Sequence, residues 1–171
     1  MSQNNWNIRV ASIGDIQEVM ALYKQCTVKM NQSGLFNWHD NYPDLKTISN
    51  DIETGTLYIL ETDYIHGAVA LNDDQPPEYI HINWEYHEEP FLVVHRLAIS
   101  PDQQGKGYGI KLMEFAEELA VSSACPSIRM DVYTINIPGR SLYKKLKYKE
   151  LNEFYFPGFE TRFVGLEKKI G

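Results

Sequence analysis

The residues of this chain whose types and spacing can do chemistry run Arg96-Leu97-Ala98-Ile99-Ser100-Pro101-Asp102-Gln103-Gln104-Gly105-Lys106-Gly107-Tyr108-Gly109. An apolar run ends at a proline, three glycines follow at alternate positions, and a helical pattern starts at once. Glycine lets backbone N–H groups approach a ligand with no Cβ in the way. The positive end of a helix behind them suits an anion, above all a phosphate. Two familiar phosphate loops are excluded. A Walker loop needs Gly-x-x-x-x-Gly-Lys-Ser/Thr, but Gly107 follows Lys106. A dinucleotide fingerprint counted from Gly105 ends on Ile110, and the loop does not follow the first strand. What stands here is Gln104-x-x-Gly107-x-Gly109.

These residues need a scaffold, and the hydrophobic pattern supplies one. Ile8 to Ala11 reads as a strand. Ser12 or Asp15 caps a helix that aligns Ile16, Val19, Met20 and Tyr23. Asp40 to Thr54 reads as helical after Pro43. Thr56 to Glu61 and Ile65 to Leu71 form two strands around a tight turn near Asp63. Asp73 to Pro90 is polar, carries three prolines, and reads as a long functional loop. Phe91 to Ile99 is a continuous apolar run, as a central strand requires. A helix over Tyr108 to Ala120, a strand over Ser127 to Tyr133 and a short helix over Pro138 to Lys147 follow. Glu150 to Phe156 and Arg162 to Glu167 close the chain as strands. The fold class is α/β, mixed, around one central sheet.

Composition bounds the rest. A chain of 171 residues, 43% hydrophobic and 23% charged, is expected to be one domain over 1–171 with its core at about 8–167. Met1-Ser2-Gln3-Asn4-Asn5 has neither a basic start nor an apolar run, so no leader is read there. Phe91-Leu92-Val93-Val94 falls far short of a membrane span. Cys26 and Cys125 have no metal spacing and are expected to be reduced thiols of a cytoplasmic protein. His81, His87 and His95 form no ligand motif, so no metal is expected. The net charge of −7 argues against nucleic acid as a partner. It is compatible with a cationic small substrate and also with a merely solvated acidic surface.

The glycine loop resembles that of the GCN5-related N-acetyltransferase (GNAT) superfamily, whose signature is Gln/Arg-x-x-Gly-x-Gly/Ala. The likeness extends to the strand before the loop, the helix after it, and Asn136-x-x-Gly139-Arg140-Ser141-x-Tyr143. The order of elements fits from about Ile8 to Glu167. The resemblance implies a largely antiparallel sheet of six to seven strands with about four helices. In such a fold the strand through Leu97 and Ile99 splays from its neighbour to hold acetyl-CoA. The main-chain N–H groups of Gln104, Gly105, Lys106, Gly107, Tyr108 and Gly109 would then hold the pyrophosphate. Each such bond to a charged group is worth about 1.5–3 kcal/mol. The Lys106 charge adds about 1 kcal/mol or less. Main chain near Leu97, Ala98 and Ile99 would bond the pantetheine arm.

The resemblance also implies roles in acetyl transfer from a thioester to an amine. Tyr143 matches the family's tyrosine, which donates to the leaving thiolate. Asn136 matches its asparagine, which bonds the cofactor arm; capping the helix is the other use of that residue, and both can hold. His95 lies two residues before Leu97 and, by strand alternation, on the same face. The arylalkylamine branch has a histidine there, and an imidazole suits base work at neutral pH. A buried, satisfied core histidine is the alternative. Val93 stands where many members have a glutamate, so Glu85, Glu88 or Glu89 from the loop, or water, remain open as base. The acceptor pocket is expected from the first helices, the long loop and the last strands, with aromatics such as Trp84, Phe154 and Phe159. The leading expectation is a small-molecule primary amine as acceptor. Protein N-termini or lysines, and an acyl-CoA-binding module without catalysis, are the alternatives. A homodimer is possible by the same analogy.

Overall fold

The computed structural model describes residues 6–171. The segment read above for a leader lies outside them. Seven strands and four α-helices follow one another: β1 Asn7–Val10, α1 Ile16–Gln32, α2 Leu45–Glu53, β2 Leu57–Glu61, β3 Ile65–Asn72, β4 Phe91–Ile99, α3 Tyr108–Ser122, β5 Ser127–Tyr133, α4 Ile137–Lys145, β6 Lys149–Phe154 and β7 Phe163–Lys169. The strands form one sheet in the order β1-β2-β3-β4-β5-β7-β6. The β4–β5 pair is parallel, while β1–β2, β2–β3, β5–β7 and β6–β7 are antiparallel. Expected and observed bounds coincide for β4, with its apolar run, and for β5, with its alternating pattern.

Backbone contacts divide the chain into two compact units, one running to Leu71 and resuming over His95–Phe115, the other made of Asn72–Val94 and Ala116–Gly171. In the first, α1 buries Val19, Leu22, Tyr23 and Cys26, the one-in-three-or-four spacing of an amphipathic helix. They share a core with Ile48 and Ile52 of α2, Leu57 and Ile59 of β2, and Ala68 and Ala70 of β3. Asp44 starts α2 by accepting from the Thr47 N–H at 2.9 Å. Arg9 of β1 bridges Asp15 and Glu61, each at 2.8 Å, and so ties the sheet edge to the start of α1.

Gly67 on β3 is required by close approach. A Cβ there would stand 2.7 Å from Ile99 Cδ1 and 2.9 Å from the Ala98 carbonyl oxygen. Gly67→Ala is therefore expected to lose about 1–3 kcal/mol, read as a lower urea midpoint at unchanged m.

In the second unit β5 alternates. Ile128, Met130 and Val132 are buried on one face; Arg129, Asp131 and Tyr133 point to the other. Register sets these three opposite Glu167, Gly165 and Phe163 of β7. The segment between β3 and β4 is held to that polar face. It contains a one-turn helix, Pro77–His81, absent from the sequence reading. Arg129 Nη1 donates to Gln75 Oε1 at 2.8 Å and its Nη2 to the Tyr86 carbonyl. Glu167 accepts from the N–H groups of Glu85 at 2.8 Å and Tyr86 at 3.2 Å.

Candidate active site

The loop after β4 is braced from its own side chains, and its main chain is left bare. The Ser100 N–H donates to the His66 carbonyl, and the Gln103 N–H to the Ser100 carbonyl, each at 2.8 Å. Gln103 is buried. Its amide donates to Tyr64 Oη at 2.8 Å, and its Oε1 accepts from Lys106 Nζ at 2.9 Å. Gln104 Nε2 turns back to the Ile99 carbonyl at 3.1 Å. Thus the Lys106 and Gln104 side chains are already engaged within the loop. Beneath it His66 stacks on Tyr108 at 5.2 Å, and burial holds its imidazole below the usual histidine range.

Gly105 and Gly107 take φ of +80° and +88°, left-handed values that favour glycine, and a Cβ on either would meet nothing within 4 Å. The first α3 bond is from the Lys111 N–H to the Gly107 carbonyl, 3.1 Å. Among the described residues, the N–H groups from Gln104 to Ile110 find no protein acceptor. This run of donors opens the fifteen-residue helix α3. The geometry is an anion cradle.

β4 changes character along its length. Phe91–Val94 are buried; His95, Arg96, Leu97 and Ile99 are half-buried. Arg96 has φ +52°, so the alternation that was expected to put His95, Leu97 and Ile99 on one face does not run through it. A non-glycine residue in this region costs about 1–2 kcal/mol. Its surroundings hold it there. Tyr23 Oη donates to the Arg96 carbonyl at 2.8 Å, and Cys26 Sγ to that of Ile99 at 3.2 Å. The Arg96 guanidinium forks onto buried Asp51 at 2.7–3.0 Å and reaches Tyr42 Oη at 3.3 Å. Tyr23 is thus a buried support of the strand. In the second unit, the parallel ladder joins only Phe91–Val93 of β4 to Ser127–Arg129 of β5.

Asn136 is the N-cap of α4, its Oδ1 accepting from the Gly139 N–H at 3.0 Å. A Cβ on Gly139 would lie 2.8 Å from Asn136 Nδ2, which explains the Asn-x-x-Gly spacing. Seven residues on, Tyr143 is buried edge-on to Tyr148 with centroids 6.1 Å apart. Burial, then the nearby Asp131 charge, lifts its phenol far above the ordinary value. Its hydroxyl has no hydrogen-bond partner among the described residues.

Asp131 was not picked out from the sequence. It lies mid-β5 opposite a glycine, Gly165, and accepts from Tyr79 Oη at 2.8 Å. Burial pushes its carboxyl up to about 6, against the pull of the Tyr79 bond, although part of the residue still touches solvent. The one available signal was two opposite charges at alternate positions, Arg129 and Asp131, in an otherwise apolar strand. Pro77, Glu78 and His81 of the one-turn helix that carries Tyr79 line an open cleft of about 510 Å³ together with Tyr155–Phe159.

A mixed sheet with a parallel central pair, a bare amide cradle at the mouth of α3 and a capped helix bearing a buried tyrosine are features of a fold that does not by itself name the chemistry. The profile of the Acetyltransferase (GNAT) family matches residues 17–148, and the chain belongs to that family. The uncharacterized N-acetyltransferase YesJ of Bacillus subtilis (strain 168) is 28% identical over 108 residues, 62% of this chain; the match spans 59% of that relative's length. A GNAT-family acetyltransferase of Streptococcus agalactiae 2603 superposes with a TM-score of 0.84 at 21% identity, over 98% of this chain and 97% of the other. The Salmonella typhimurium protein yncA, a candidate acetyltransferase solved with its cofactor acetyl-CoA, gives 0.72 at 14% identity over 98% and 95%. Among the described residues no helix is long and apolar enough to cross a membrane.

Proposed function

We propose that this chain is a single-domain, cytoplasmic N-acetyltransferase that moves the acetyl group of acetyl-CoA directly to the primary amine of a small molecule. The observation that carries this reading is the run of unpartnered N–H groups from Gln104 to Ile110 at the mouth of α3. Those donors suit the CoA diphosphate; acetyl-CoA supplies the activated acetyl group. Main chain of Leu97, Ala98 and Ile99 bonds the pantetheine arm, with Asn136 Nδ2 as a further donor. The Ile99 carbonyl already accepts from Cys26 and Gln104, so its N–H is the group left for that task.

The chemistry has two proton problems. An alkylammonium of pKa about 10 leaves roughly one molecule in a thousand nucleophilic at neutral pH, a deficit of about 4 kcal/mol. His95, half-buried on β4, is the base that recovers part of it. The leaving thiolate, of pKa about 8.5, is the second problem. Tyr143 remains a neutral donor because its pKa is raised.

Calorimetry with acetyl-CoA tests the reading. Binding is expected, and Gly107→Ala, which forces a side chain to φ +88°, should weaken it. The loss should be about five- to tenfold, matching a strain of about 1–1.4 kcal/mol. No heat and no melting shift on well-folded protein would overturn the proposal. Thiol release with an amine panel then separates a transferase from a module that only binds the thioester.

A further inference from the structure

Three of the described non-glycine residues take a positive φ: Arg96 at +52°, Ala124 at +54° and Lys147 at +66°. Ala124 and Lys147 each lie two residues past a helix, α3 and α4, where a left-handed residue closes the last turn. Arg96 lies inside a strand and has no helix to close. A strained residue of this kind persists only where its surroundings over-determine it, and such residues gather where a protein needs a preset geometry.

The surroundings of Arg96 are unusually complete, and all of them lie in the first unit. Its guanidinium forks onto Asp51, and the two side chains are 11% and 5% exposed, so the pair is nearly cut off from water. The Asp51 carbonyl accepts from the Thr56 N–H at 2.9 Å, which anchors the pair where α2 gives way to β2. Tyr42, whose hydroxyl takes the third bond of the fork, is itself fixed by exchanging main-chain bonds with His39 at 2.8 and 2.9 Å. Tyr23, which bonds the Arg96 carbonyl, is backed edge-on by Trp38 at 5.5 Å. On stability alone, apolar residues of the same size would serve as well as a buried ion pair. What a carboxylate and a guanidinium fork add is a fixed direction as well as a fixed distance.

That direction has a consequence along β4. A left-handed residue in a strand breaks the alternation of its peptide groups and re-aims those that follow. The groups that follow are the main chain of Leu97, Ala98 and Ile99. We infer that Asp51 and Tyr42, acting through the Arg96 fork, are positioning residues that set the Leu97–Ile99 main chain for the pantetheine arm of CoA. The arm and the diphosphate are then seated by separate devices, the fork for one and the glycine cradle for the other. This rests on the acetyl-transfer reading above and adds the residues that prepare the strand for it.

Calorimetry on the full chain tests it with two probes, CoA and 3′-phosphoadenosine 5′-diphosphate, which is CoA without its arm. Wild-type protein should bind CoA about tenfold or more tightly than the armless probe, the worth of about one or two hydrogen bonds. Two double variants leave no unpaired charge buried: Asp51→Asn with Arg96→Ala, and Asp51→Asn with Arg96→Gly. The alanine double has no fork and a residue that resists positive φ, so it should bind the two probes within about twofold of each other. The glycine double also lacks the fork, but glycine takes positive φ freely, so a preference of about threefold or more should return. Both should bind the armless probe within about twofold of wild type, because the cradle is untouched. Arg96→Lys keeps the charge and loses the fork; it serves where the doubles fail to fold, and its CoA preference should fall to about threefold or less. A full CoA preference in the alanine double or in Arg96→Lys, the same loss in alanine and glycine, or an equal loss of both probes would overturn the inference. Wild-type protein that binds both probes equally would strike this inference alone, whereas one that binds neither would strike the acetyl-transfer reading with it.

Discussion

Tyr143→Phe is expected to lower kcat by about a hundred- to ten-thousand-fold, with acetyl-CoA affinity unchanged. The argument starts from burial. The ring packs edge-on to Tyr148, and the substitution leaves that contact intact. The hydroxyl has no partner among the described residues, so the fold loses no hydrogen bond and the melting temperature should stay put. On the proposed role, what disappears is the neutral donor to the leaving thiolate. Burial and the Asp131 charge both disfavour the phenolate, so the phenol stays protonated across the working pH range. Wild-type turnover should therefore show no alkaline fall near pH 10, where an ordinary phenol ionises. Measured kcat within a few-fold of wild type in the phenylalanine variant would remove Tyr143 from the chemistry.

How much of this was legible in the sequence depends on range. β4 was read to the residue because it is a nearly continuous apolar run, and β5 because Ile128, Met130 and Val132 alternate with polar residues after Pro126. The cradle was legible because glycine spacing is local and its physics is local. Asn136 and Gly139 were singled out by the family resemblance, and the structure adds a local reason for their spacing, a cap whose amide covers the glycine. What was missed is non-local. Tyr79 and Asp131 are 52 positions apart, and nothing in either neighbourhood announces the other. The one-turn helix at Pro77–His81 is too short for a periodicity. The left-handed Arg96 has no sequence mark, because it is imposed by Tyr23 and Asp51 from two other elements. A period-two rule applied to β4 fails at that residue.

Glu167→Ala is expected to cost about 3–5 kcal/mol, the largest stability loss of any single change considered, seen as a drop in urea midpoint. Glu167 is 1% exposed and its partner Arg129 is buried with it. Removing the carboxylate strands a guanidinium that sits 3.4 Å over Phe91 and 4.5 Å over Trp84, rings that attract the cation but cannot neutralise it. It also orphans the Glu85 and Tyr86 N–H groups that pin the end of the long loop. Burial already pushes the Arg129 pKa down, which shows the desolvation that the carboxylate offsets. Pairing Glu167→Leu with Arg129→Met should recover most of the loss, because two apolar side chains bury no charge. The double variant should nevertheless leave the loop loose, since Gln75 and the Tyr86 carbonyl also lose their donor. Hydrogen exchange at Glu85 and Tyr86 should then be fast in a protein that is stable overall. Recovered stability together with full protection at those two amides would show that the ion pair does not hold the loop.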